Sequence, residues 1–281
     1  MGPAYLWIGA NGRYPRAAPT SRGAALEDTR PMLHRIRRKS ARWRFRAGIY
    51  RTSLSARLRR CHVVHMLHIG KTGGTAVKHA LRSCRAPRDV RIVMHDHKTA
   101  LSDLPPWDDV FFFLRDPVSR YVSGFNSRLR EGRPRYDKAW TADERDAFEH
   151  FTTPDELAVA IDADDPELRK AARRAMSRIG HVRWHYSRCL GGARLLRARR
   201  RRMVLIGHQE TLAEDLERLK DRLGLPADCR LPTDEAEAHR SPTGLSTELS
   251  ERALKNLRTW YRQDYELIEA CRDLERAAVD A

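Results

Sequence analysis

The chain has 281 residues, with 54 Lys+Arg against 37 Asp+Glu and a formal charge of +17; its pI is about 10.3. At 41% hydrophobic and 32% charged residues, it has the composition of a globular protein with one large domain or two ordinary ones, which excludes collagen-, mucin- and porin-like classes. No run approaches the roughly 18 apolar residues that span a bilayer, and Met1–Ala10 lacks the early basic region of a signal peptide, so a soluble, cytoplasmic protein without an anchor is expected.

A strongly basic chain suggests nucleic acid, but the charge is unevenly placed. Residues 1–60 hold 15 Lys+Arg against only Glu27 and Asp28, a net of +13, and the remaining 221 residues net +4. This leader scatters Gly, Pro and Ser through its first half, is dense in Arg from Arg30 to Arg60, and has an apolar period only around Leu54–Leu58. Disorder or a loose basic helix is expected for it. A solvated extension is the simpler account; attraction to an anionic membrane or another polyanion is the functional one. The folded domain is expected over residues 61–281.

His62–Ile69 is a β-rich apolar run, Gly70-Lys71-Thr72-Gly73-Gly74-Thr75 a glycine loop, and Ala76–Cys84 a helix with Val77, Ala80, Leu81 and Cys84 on one face. Val90–Met94 is a second strand, ending at His95-Asp96-His97. Val110–Leu114 is a third, ending at Arg115-Asp116-Pro117, where Pro117 suits the first turn of a helix. Thr141-Ala142-Asp143-Glu144, Thr153-Pro154-Asp155-Glu156 and Asp165-Pro166-Glu167 open three helices of an insertion over the sheet. Arg194–Arg202 reads as a solvated turn or as a contact for an acidic substrate. Met203–Gly207 is a fourth strand, Thr211–Leu223 a helix stopped by Gly224 and Pro226, 234–244 a polar loop, and Leu249–Leu274 a long amphipathic helix or helix pair. Apolar strands separated by helices predict an α/β fold, a P-loop-type parallel sheet flanked by helices with a helical insertion. Ligands of such sheets bind at the carboxyl ends of the strands.

The cysteines Cys61, Cys84, Cys189, Cys229 and Cys271 show no metal or redox spacing and suit a reducing compartment. Six of the twelve histidines fall between His62 and His97, at spacings that match no metal motif, so no metal is expected.

Chemistry concentrates in two places. In the first, backbone amides of a glycine turn leading into a helix form an anion cradle; Lys71 adds a cation, Gly73 and Gly74 permit close approach, and Thr72 and Thr75 add hydroxyls. It is not the nucleoside-triphosphatase loop, because His65 stands where that motif needs its first glycine. In the second, Leu114-Arg115-Asp116-Pro117-Val118-Ser119-Arg120 with Ser123-Gly124-Phe125, Arg115 and Ser123 could grip one phosphate. Asp116 could instead hold magnesium, as in phosphoryl transferases.

His68-Ile69-Gly70-Lys71-Thr72-Gly73-Gly74-Thr75 and, about 45 residues on, the Arg115–Phe125 motif together resemble the 3'-phosphoadenylyl-sulfate (PAPS) dependent sulfotransferases. The likeness is to their carbohydrate-directed branch, which includes the heparan sulfate 2-O-sulfotransferases and bacterial relatives. Trp260-Tyr261 and Asp264-Tyr265 resemble that branch's closing helix. Gly70 departs from the proline of many members. The resemblance covers residues 62–270. It implies that Lys71, Thr72, Gly73, Gly74 and Thr75 hold the 5'-phosphosulfate of PAPS, that Arg115 and Ser123 hold its 3'-phosphate, and that His97 is the general base, with His95 as runner-up. Ala238–Pro242 is the candidate adenine loop, and His68 reads as a packing or orienting residue. The implied acceptor is a hydroxyl of a saccharide or glycolipid, with no nucleic-acid partner and, through the leader, peripheral membrane contact. A magnesium-dependent small-molecule kinase and a non-enzymatic polyanion binder are the alternatives.

Overall fold

The computed structural model describes residues 5–7, 30–134, 136–233 and 245–279, with backbone alone at 5–7, 30–39 and 279. Its centre is a parallel sheet in the order β1-β3-β2-β4-β5. Four strands make up its body: β2 (His62–Leu67), β3 (Val90–Met94), β4 (Asp109–Leu114) and β5 (Met203–His208); the three-residue β1 (Tyr5–Trp7) pairs along the outer edge of β3.

The apolar runs arise because both faces of the sheet are covered. On one face Val64, Met66, Phe111, Phe113 and Leu205 pack with α2 (Gly74–Ser83) and α9 (Leu212–Leu223). On the other, Leu67, Val110, Phe112 and Ile206 pack with α1 (Arg30–Leu58), α7 (Ser187–Leu190), α8 (Ala193–Ala198) and α11 (Arg262–Val279). The successive phenylalanines of β4 thus serve alternate layers, as a two-residue side-chain period requires. α9 ends as expected, with Gly224 at φ 61°.

A third core lies beside the sheet. There α3 (Pro117–Leu129) meets α4 (Ala142–His150), α5 (Pro154–Ala160), α6 (Pro166–Arg178) and α10 (Glu251–Trp260) through Tyr121, Phe125, Phe148, Leu157, Met176, Leu257 and Tyr261. Thr141 with Glu144 and Thr153 with Glu156 form the expected reciprocal caps. Arg128 and Glu144 are buried as a two-bond pair at 2.7 and 2.9 Å. The long C-terminal segment is a helix pair, α10 and α11.

Two expectations change. The leader is helical over α1, one of the two forms expected, but the helix is not loose, because its second half buries Ile49, Ser53 and Ala56. Arg42 pairs with Asp103 at 2.7 Å and Arg57 with Asp108 at 2.9 Å, fastening α1 to the sheet layer. Those three small or apolar residues were diluted among arginines that face outward. The arginine run is likewise no simple turn: it carries α8 and a 3-10 turn, and buried Arg199 donates to the carbonyls of Leu104 and Asp108. Residues 234–244, with the candidate adenine loop, lie outside the described residues.

Candidate active site

The glycine loop leaves β2 and enters α2 at a sharply turned backbone. Gly73, the N-cap, has φ 80° and offers no side-chain cap to the first turn of α2, which carries no acidic residue. Its free amides and the positive end of the helix therefore face outward for an anion. Both glycines are needed sterically: a Cβ on Gly73 would come within 2.9 Å of the Leu212 side chain, and one on Gly74 within 2.6 Å of the His68 ring. Thr72 is buried and donates to the Ile69 carbonyl at 3.0 Å, so its hydroxyl braces the turn. Thr75 stands half-buried in the first turn of α2.

Lys71 is held at φ 68°, a left-handed conformation that costs a non-glycine residue roughly 1 kcal/mol or more. Burial, then the charges of Arg130 and Arg115, push its amine down to about 8. Arg115, at the end of β4, has a guanidinium whose buried Nε lacks a hydrogen-bond partner. Its backbone is clamped at both ends by Tyr186, whose hydroxyl accepts from the Arg115 N–H at 3.0 Å and donates to its carbonyl at 2.6 Å. Ser123 lies half-buried in the second turn of the helix that Arg115 precedes. Asp116 is committed to structure: one oxygen accepts from the Ser119 amide at 2.8 Å as the cap of α3, the other from the Tyr265 hydroxyl at 2.9 Å. Both oxygens of Asp116 are thus engaged in capping α3 and holding Tyr265. Among the described residues there is no metal-type cluster.

The histidines at the end of β3 part company. His95 is fully buried, its Nε2 2.9 Å from His65 Nδ1, and His65 Nε2 lies 3.0 Å from Asp108. Ser53 and Arg57 of α1 complete that cluster on Asp108, so the runner-up base is turned inward. His97 stays at the rim. Its Nδ1 is 3.2 Å from the His68 carbonyl, which can only accept, so Nδ1 carries the proton and Nε2 the lone pair. Burial is the main cause holding His97 below its ordinary value, which keeps it neutral near pH 7. The His68 ring centroid lies 4.0 Å from that of His97, with Gly74 against the same His68 ring.

His181 joins this cluster and was missed by the sequence reading. It has φ 67°, its ring lies against Gly70 and its Cβ and backbone against Gly124, and its Nδ1 is buried without a partner. Its ring centroid is 5.9 Å from that of His97 and 5.1 Å from that of Trp184. Burial, then the charges of Lys71 and His97, push it down to about 3. The loop bearing it is pinned from the C-terminal helices: Asp264 accepts from the Tyr186 amide at 2.8 Å, and Tyr261 donates to the Val182 carbonyl at 2.8 Å. Gly70 makes room for it, since a Cβ there would sit 3.1 Å from His181 Nδ1. The sequence carries only a faint signal, the departure from proline at Gly70, whose partner lies 111 residues away.

A glycine loop at the end of β2, arginines at and beyond the end of β4, and a neutral histidine past the end of β3 meet at the strand ends of one α/β domain. The family model described as "Sulfotransferase family" matches residues 56–269, and the chain belongs to that family, whose chemistry is sulfuryl transfer. No curated protein and no solved structure matches the chain. No described helix is long and apolar enough to cross a membrane.

Proposed function

We propose that this transferase moves a sulfuryl group from PAPS to a hydroxyl of a saccharide or glycolipid, with His97 as general base. The observation that carries this reading is the convergence of Lys71, Arg115 and Arg130 beside an uncapped α2 N-terminus. A doubly phosphorylated nucleotide fits that deficit of negative charge, and the partnerless Arg115 Nε has a use once a phosphate meets it.

PAPS supplies the labile S–O bond and a phosphate leaving group. Lys71, Thr75 and the amides of Gly73 and Gly74 would hold the 5'-phosphosulfate, with Thr72 fixing the turn. Lys71 stabilises negative charge on the bridging oxygen as it leaves. Arg115 and Ser123 would hold the 3'-phosphate. His97 Nε2 takes the acceptor's proton while the acceptor oxygen bonds to sulfur; the neutral form and the fixed Nδ1 proton suit it to that task at neutral pH. Tyr186 and the capped α3 keep Arg115 in register, so less binding energy is lost in ordering it.

The test is transfer of radiolabel from sulfur-labelled PAPS into polysaccharide and lipid extracts. Label in a saccharide-bearing product is expected, falling about 10²–10³-fold in Lys71→Ala. Label confined to protein or to simple phenols would remove the acceptor class, and equal transfer by Lys71→Ala would remove the role of Lys71.

A further inference from the structure

α1 has one face in the protein and another that is apolar and open. Ile49, Ser53 and Ala56 are buried. On the far side, Trp43, Ala47, Leu54 and Leu58 follow one another at intervals of four, seven and four residues, the spacing of a single helical stripe. Trp43 is 77% exposed, Leu54 50% and Leu58 86%, three of the five exposed large apolar side chains among the described residues. Exposed Arg44 and Arg51 border the stripe. From Ser40 to Arg60 the chain carries seven arginines and no acidic residue. Beside the stripe, a cleft of about 500 Å³ is lined by Arg51, Thr52, Ser55, Arg59 and Arg91.

We propose that the outer face of α1 docks the protein on an anionic phospholipid surface. Trp43, Leu54 and Leu58 enter the boundary between headgroups and acyl chains, Arg44 and Arg51 lie among the headgroup phosphates, and the arginine-lined cleft receives a headgroup. Charge complementarity selects an anionic partner, and the apolar stripe selects lipid among anionic partners. A sulfated polysaccharide or nucleic acid would use the arginines but leave an indole and two leucines in water. Ion pairs of Arg42 and Arg57 with Asp103 and Asp108 hold the inner face to the sheet, so the stripe is presented on a fixed body. This inference does not rest on sulfuryl transfer.

The test is co-sedimentation of the full-length protein with phosphatidylcholine vesicles, with and without phosphatidylserine. Binding is expected only where phosphatidylserine is present. It should weaken about tenfold in the Trp43→Ala/Leu54→Ser/Leu58→Ser variant and, separately, in Arg44→Glu/Arg51→Glu. Circular dichroism identical to the parent's checks that the exposed changes leave the fold intact. A second readout needs no loss of binding: brominated acyl chains should quench the Trp43 component of the parent's tryptophan emission, and Trp43→Phe should abolish that quenching. Failure to bind phosphatidylserine vesicles overturns the proposal. So does binding that the apolar variant retains in full, retention on heparin without vesicle binding, or Trp43 emission that bromine does not reach because another part of the chain or a second copy covers the stripe.

Discussion

His65 and His95 are bonded inward toward α1, where Asp108, Ser53 and Arg57 close around them, whereas His68, His97 and His181 stand above the glycine loop at the rim of the same sheet. The first group forms a chain from His95 Nε2 through His65 to a buried carboxylate, and its remaining nitrogen, His95 Nδ1, is buried without a partner. The second leaves Nε2 of a neutral imidazole within electrostatic reach of Lys78 and Lys71. A single residue, Asp96, separates His95 from His97, yet one is enclosed and the other faces the loop. A histidine's role is therefore set by what its two nitrogens meet, which spacing along the chain does not encode.

The comparison breaks most sharply with His97→Ala against His95→Ala. Transfer should fall about 10²–10⁴-fold in His97→Ala, with the melting temperature and nucleotide binding close to the parent's. His95→Ala should lower the melting temperature while leaving kcat within a few-fold, because it opens a buried hydrogen-bonded cluster. Reversal of this pattern, measured by label transfer and calorimetry on the same preparations, would exchange the two assignments.

Asp108→Ala probes the enclosed cluster alone. It strands His65, Ser53 and Arg57, and should cost about 3 kcal/mol of stability with little change in turnover per folded molecule. Denaturant unfolding measures the first and active-site titration the second; an unaltered unfolding midpoint would mean that the cluster contributes nothing.

The smallest expected effect is on the pH profile of kcat/KM. The base must be neutral, so activity falls as pH drops through the His97 value, which lies below its ordinary 6.5. Lys71 must be charged, so activity falls again as pH rises past about 8 in the free enzyme. The acid limb should disappear from the residual activity of His97→Ala. A single limb centred near 10 would show that the Lys71 amine is not perturbed.

Much of the fold was legible because apolar strands, glycine punctuation and helix caps are local signals: the four main strands, the loop and all three insertion helices follow from them. The rim positions Lys71, Arg115 and His97 could be nominated because each ends a readable strand. What escaped depended on distance in sequence. α1 joins the body through Ile49, Ser53 and Ala56, a face visible only once Asp103 and Asp108 are seen beneath it. His181 enters the site because Tyr261 and Asp264 hold its loop and Gly70 leaves space, contacts spanning some 80 to 110 residues that no local pattern records.

The most direct test of the central claim is calorimetric titration of the chain with adenosine 3',5'-bisphosphate in the presence of a chelator, alongside ATP with and without magnesium. The account predicts tight, magnesium-independent binding of the bisphosphate, weakened at least tenfold by Arg115→Ala through loss of a charged phosphate contact, with ATP the poorer ligand. Preference for ATP that appears only with magnesium would contradict it.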